Sequence, residues 1–109
     1  MFIVDGQSFA TDEHEYLAHY GDWSPALAEH IASLEQIELT PAHWEVIHFV
    51  REFYETYDTS PAMRVLVKAV AQSMGAHKGN RLYLYQLFPK GPAKQATRIA
   101  GLPKPAKCI

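Results

Sequence analysis

Thr40-Pro-Ala-His-Trp-Glu-Val-Ile-His-Phe-Val-Arg-Glu-Phe-Tyr-Glu-Thr-Tyr57 is the stretch on which the fold turns. Thr before Pro is a helix start. The Thr oxygen accepts a first-turn N–H, and Pro at the first helical position lacks an N–H that would find no partner there. Trp44, Ile47, Val50, Tyr54 and Tyr57 then mark one face, and Val46, Phe49 and Phe53 widen it. A helix apolar over so broad an arc packs on more than one side, so the spacing predicts a central helix ending near Tyr57.

The same start signal occurs on either side. Ser24-Pro25 opens a helix to about Gln36 with Leu27, Ile31 and Leu34 on its buried stripe. Ser60-Pro61 opens another, with Met63, Leu66, Val67, Val70 and Met74 facing inward and Gly75 as C-cap. The methionines read as core. Before these, Phe2–Phe9 reads as a β-hairpin around Asp5-Gly6. Asp12, with Glu15 in capping-box spacing, predicts a helix through Tyr16, Leu17 and Tyr20 to Gly21. After a loop at Lys78-Gly79-Asn80, residues 81–88 fit either a strand or a short helix capped by Asn80. Pro89 stops this segment. Gly91-Pro92 opens a last helix with Ala96, Ile99 and Ala100 on its apolar side. The fold class is therefore mostly α with a minor β part: a small N-terminal hairpin, a helical bundle with a helix-turn-helix-like pair, and a C-terminal arm. Residues 1–100 form one domain and 101–109 a mobile arm.

A hydrophobic fraction of 48% and a charged fraction of 20% are those of an ordinary globular protein with a core. The net charge of −2 conceals an asymmetry. All twelve acidic residues lie in 1–58 beside one basic residue, Arg51, while the other nine Lys and Arg lie in 59–109. Either the halves pair across the fold, or the second half offers a basic face to an acidic protein or a nucleic acid. The start Met1-Phe-Ile-Val-Asp5 lacks the pattern of a signal peptide, and no apolar run reaches membrane-spanning length. A single cysteine excludes an internal disulfide and points to the cytoplasm. His43 and His48 are five apart rather than the four that align two ligands on a helix, and the other histidines fall in separate segments. The glycines form no phosphate loop, and no carboxylate pair has acid/base spacing. No metal or cofactor is expected.

The chemistry gathers at the end of the chain, Gly101-Leu-Pro-Lys-Pro-Ala-Lys-Cys-Ile109. Pro103 and Pro105 exclude helix and predict an extended arm reaching roughly 20 Å at about 3.1 Å per residue. Cys108, the only cysteine, is the second-to-last residue. Its neighbours Lys104 and Lys107 favour the thiolate and the terminal carboxylate opposes it, starting from a free-cysteine pKa of about 8.5. Such a thiol lacks the fixed base and oxyanion hole of a hydrolase. It suits a carrier, and a persulfide is among its reversible states.

Leu87-Phe-Pro-Lys-Gly-Pro-Ala-Lys-Gln-Ala-Thr-Arg-Ile-Ala-Gly-Leu-Pro-Lys-Pro-Ala-Lys-Cys-Ile109, together with Leu39-Thr-Pro-Ala-His-Trp-Glu-Val-Ile47, resembles the DsrC/TusE family of sulfur-trafficking proteins over the whole chain. The resemblance implies a mostly helical fold with an N-terminal hairpin and a flexible arm whose penultimate cysteine, here Cys108, carries sulfur as a persulfide. Members serving dissimilatory sulfur metabolism have a second arm cysteine where this chain has Thr97. That departure disfavours a sulfite-reductase partner and favours a relay from a TusBCD-like complex through Cys108 to an MnmA-like enzyme that 2-thiolates tRNA wobble uridine. In this reading Cys108 is catalytic, Lys104 and Lys107 guide the arm, and Lys94 and Arg98 steady its base. Contact with tRNA is weak or indirect. A rival reading makes the helices around Thr59-Ser60 a DNA-binding helix-turn-helix, with Arg64 and Lys68 on the reading helix.

Overall fold

The computed structural model describes residues 1–105. Strands β1 (Phe2–Val4) and β2 (Gln7–Phe9) pair antiparallel, with Phe2 opposite Phe9 and Val4 opposite Gln7. Helices α1 (Pro25–Leu34), α2 (Pro41–Tyr57), α3 (Met63–Met74), α4 (Arg81–Leu87) and α5 (Pro92–Ile99) follow. Asp5 and Gly6 both adopt positive φ, as the tight turn between the strands requires.

The hub is α5, not the long α2 that the apolar pattern predicts. It packs against α1, α2, α3 and α4, and Pro92, Ala93, Gln95, Ala96, Thr97 and Ile99 are all buried along it. The reason is size. Ala93, Ala96 and Ala100 let neighbouring helices approach closely, and the bulk comes from those neighbours. Ile47 and Val50 of α2, Leu66 and Val70 of α3, and Leu84 and Phe88 at α4 are fully buried with Ile99 in this core. The far end of α2 leaves the core: Tyr57 is 64% exposed, so the predicted stripe ends at Tyr54.

Local signals set most helix ends. The Ser24 oxygen accepts from the Leu27 N–H at 3.1 Å, and Pro25 opens α1. At α2, Thr40 and His43 cap each other, and the His43 ring carries the link further. Its Nδ1 accepts from the Thr40 N–H at 3.1 Å, which leaves Nε2–H to donate to the Leu87 carbonyl at 2.8 Å. His43 thus ties the start of α2 to the end of α4. Residues 81–88, open between strand and helix in sequence, form α4, with the Asn80 oxygen accepting from the Tyr83 N–H at 2.8 Å.

Two predicted helix starts do not form. Asp12 opens no helix: its carboxylate accepts from the N–H groups of His14 and Tyr16, while Glu15 turns into the left-handed region at φ 63°. Asp12 N–H donates to the Tyr16 carbonyl at 2.8 Å and Ala18 N–H to Ala10 at 2.9 Å, closing a loop bridged at Thr11 and Leu17. A short turn of 3-10 helix at Tyr20–Asp22 is all that remains of the helix. This geometry buries the consecutive Tyr16 and Leu17, which a single helix face does not favour. Ser60-Pro61 does not cap α3 either. The helix begins at Met63 after an Ala62 cap without a side-chain bond, and the Ser60 hydroxyl points elsewhere.

Candidate functional site at the root of the C-terminal arm

Helix α5 ends in a left-handed cap. Gly101 has φ 72°, its N–H donates to the Arg98 carbonyl at 3.1 Å, and the Leu102 N–H donates to Thr97 at 3.0 Å. This geometry closes the helix and turns the chain out of it. Gly101 and Leu102 are nevertheless buried, as is Pro105, so packing against the body continues past Ala100. Lys104 is half-buried and Pro103 exposed.

Side chains from distant elements hold this turn by its carbonyls. The Trp23 indole N–H donates to the Ile99 carbonyl at 2.8 Å. Arg51 Nη1 donates to the Ala100 carbonyl at 2.6 Å. The Ser60 hydroxyl donates to the Pro103 carbonyl at 2.6 Å. Arg51 lies over the Tyr20 ring at 4.3 Å and the Trp23 ring at 4.0 Å, so the cation meets the π density of two rings. Burial lowers the Arg51 guanidinium from its ordinary value, with Tyr20 and Glu55 opposing, yet it stays charged as arginine does. A Cβ on Gly101 would stand 2.5 Å from Trp23 Cδ1, so only glycine allows the indole this close. Trp23, Arg51 and Ser60 are site residues that sequence reasoning missed. Arg51 left one signal: it is the single basic residue among twelve acidic ones, in the apolar register Ile47, Arg51, Tyr54.

The predicted basic residues separate into groups. Arg98 is built in: Nη1 pairs with the Glu35 carboxylate, Nε donates to the Glu15 carbonyl at 3.0 Å, and the guanidinium sits 5.6 Å from the Phe2 ring centroid. Gln95, buried, donates to the other Glu35 oxygen at 2.9 Å and accepts from the Lys90 N–H at 3.0 Å. Lys94 is exposed on the same side. With His14, Glu35 and Lys90, the residues Lys94, Gln95 and Arg98 line a cleft of about 260 Å³. Lys107 and Cys108 lie outside the described residues, so Lys104 is the one predicted arm residue with a described place. Thr97 is fully buried, its hydroxyl donating to the Ala93 carbonyl at 2.6 Å.

The charge asymmetry resolves partly as internal pairing. Lys78–Glu45, at 2.8 Å, and Arg98–Glu35 each join the acidic half to the basic half. Arg64 and Lys68 of the helix-turn-helix reading are exposed on α3 but stand on a pair whose other helix exposes Glu52, Glu55 and Asp58 at its end, a poor surface for a phosphate backbone. His43 is a core cap, and His48 stacks on Trp44 with ring centroids 5.7 Å apart. Among the described residues no helix is long and apolar enough to cross a membrane.

Comparison with known proteins agrees with this architecture. The family model described as "DsrC like protein" matches residues 3–109. The chain is 60% identical to Sulfurtransferase TusE of Photorhabdus laumondii over 109 residues, covering 100% of this chain and 98% of that one. It is also 60% identical to a Sulfurtransferase TusE homolog of Haemophilus influenzae, covering 100% of both. Among solved structures, Allochromatium vinosum DsrC superposes with a TM-score of 0.88 at 54% identity, covering 99% of this chain and 96% of that one. The oxidized γ-subunit of the dissimilatory sulfite reductase (DsrC) from Archaeoglobus fulgidus gives 0.81 at 38% identity, covering 96% of each chain. The chain therefore belongs to the DsrC-like protein family and, within it, stands with the sulfurtransferases.

Proposed function

We propose that this chain is the carrier of a sulfur relay and that Cys108 holds the sulfur as a persulfide. The Cys108 thiolate attacks the terminal sulfur of a donor persulfide. The donor S–S bond breaks, the donor leaves as a thiolate, and Cys108 becomes Cys–S–SH. An acceptor thiolate then repeats the attack on that terminal sulfur and releases the Cys108 thiolate. One neutral sulfur atom moves in each step, with no net oxidation.

The observation that carries this reading is the combination of a single cysteine with Thr97. Where family members of dissimilatory metabolism have a second arm cysteine, this chain has a buried hydroxyl satisfied by Ala93. An arm disulfide is not available, which argues for a tRNA-directed relay over a sulfite-reductase cycle. The donor is a TusBCD-like complex and the acceptor an MnmA-like tRNA 2-thiouridylase in the cytoplasm, with tRNA contacted weakly or indirectly. Beyond Pro105, a further three residues lead to Cys108, a span of at most about 10 Å when extended. The packed root thus shortens the effective reach from that of an arm free at Gly101. Lys104 and Lys107 guide this segment into partner sites, Lys94 faces the partner, and Arg98 steadies the root through Glu35 and Glu15.

Intact-mass measurement tests the reading. After incubation with cysteine, a cysteine desulfurase and the Tus-type relay proteins, the chain should gain one sulfur mass that reductant removes. Cys108→Ser should gain none while unfolding at the same temperature; a Cys108→Ser protein that still gains reducible sulfur refutes the assignment.

A further inference from the structure

We propose that Ser60 is a positioning residue for sulfur transfer: its hydroxyl, by holding the Pro103 carbonyl, sets the course of the packed segment Leu102–Pro105 and so the direction in which the arm leaves the body. The inference rests on the carrier reading of Cys108 and adds to it a residue of the body. Three observations carry it.

The first is that Ser60 forgoes an ordinary role. It stands before Pro61 in helix-start context, yet α3 begins beyond it with no side-chain cap. Its hydroxyl crosses 43 residues of sequence to the arm instead, and the side chain is nearly buried at 7% exposure. The second is its place among the contacts. Trp23 and Arg51 hold Ile99 and Ala100, which still belong to the end of α5. The Ser60 hydroxyl acts farther along the chain, on the Pro103 carbonyl beyond Leu102. The third is the chemistry of the segment. Pro103 and Pro105 have no N–H, so Lys104 supplies the single backbone donor between them, and a carbonyl is the available handle. A proline-stiffened segment held at Pro103 transmits that orientation toward Cys108.

The test compares wild type, Ser60→Ala and Ser60→Thr, the last keeping the hydroxyl. Loading of Cys108 is followed by mass against the concentration of a TusBCD-type complex charged by cysteine desulfurase. Loss of one neutral hydrogen bond predicts that Ser60→Ala raises the apparent KM roughly fivefold with kcat unchanged, and that Ser60→Thr restores most of it. Alkylation of Cys108 by iodoacetamide, which needs no docking, should keep its wild-type rate. The ¹⁵N order parameter of the Lys104 amide should fall in Ser60→Ala while those of α2 and α3 stay fixed. An unchanged KM, an unchanged Lys104 amide, or an equal loss in alkylation each overturns the proposal. Failure of the carrier reading looks different, since the wild type itself then takes up no sulfur, and the proposal falls with it.

Discussion

Gly101→Ala places a methyl group where the arm root lies against the Trp23 side of the Trp23–Arg51 stack. Two costs follow from the geometry. The backbone there has φ 72°, and a non-glycine residue in that region loses about 1–2 kcal/mol. The new Cβ also stands 2.5 Å from Trp23 Cδ1 and 3.0 Å from both Cβ and Cγ. Because the clash reaches the base of the side chain, the indole cannot escape by rotating its tip. Displacing it breaks the bond to the Ile99 carbonyl and leaves that acceptor unpaired, at about 1–3 kcal/mol. It also takes one ring away from the Arg51 cation, 4.0 Å from it, worth about 0.5–2 kcal/mol. The sum is about 4 kcal/mol, a loss of about 15 °C in Tm at this chain length.

Gly6→Ala is the control. Gly6 also has positive φ, 80°, but nothing lies within 4 Å of its Cβ, so only the backbone cost of about 1 kcal/mol applies. Urea unfolding of both variants, with Trp23 fluorescence read in a Trp44→Phe background, separates the two costs. If Gly101→Ala falls within about 1 kcal/mol of Gly6→Ala and Trp23 emission does not move, the indole does not hold the root as described.

Two other outcomes follow. His43→Ala removes the ring acceptor of the Thr40 N–H, strands the Leu87 carbonyl and leaves a hole beside the Phe88 ring, so chemical unfolding should show a loss of about 3 kcal/mol. Burial, with Glu55 adding to it against an opposing Arg51, raises the Tyr20 phenol above its ordinary value of 10.0. The folded state therefore holds that proton more tightly than the unfolded chain. Its contribution to stability is full below pH 10.0 and is lost as pH rises through the raised value. Tm measured from pH 8 upward should fall more steeply in wild type than in Tyr20→Phe above about pH 10.

The helices were legible where their signals are local. A cap acts over three residues, so Ser24 and Thr40 announce α1 and α2 in sequence. Asp12 shows where that logic stops. Its carboxylate does accept first-turn N–H groups, but the Glu15 carbonyl is claimed by Arg98, 83 residues away, and the turn does not propagate. The identity of the hub was hidden for a related reason. Apolar periodicity reports side-chain bulk, and α5 is central because its side chains are small.

The arm root was illegible in a stronger sense. Its three side-chain donors lie 76, 49 and 43 residues from the carbonyls they hold, and a hydrogen bond across such separations leaves no period or spacing behind. The sequence reading fell instead on the other end of the arm, where a penultimate cysteine after two prolines is unusual chemistry, and that end lies outside the described residues.

The two ends of the arm place opposite demands on the same helix. In the carrier reading proposed above, the reactive end enters more than one site, so its precision comes from where the arm starts. Helix α5 supplies that start because four helices and the Arg98–Glu35 pair fix it. The carbonyls of Ile99 and Ala100 at its end are claimed by a loop and by α2, and that of Pro103 beyond it by the α2–α3 connection. Small residues along α5 serve both ends of this arrangement. They admit the neighbours that immobilise the helix, and at Gly101 the absence of a side chain lets the indole close over the turn where the arm departs.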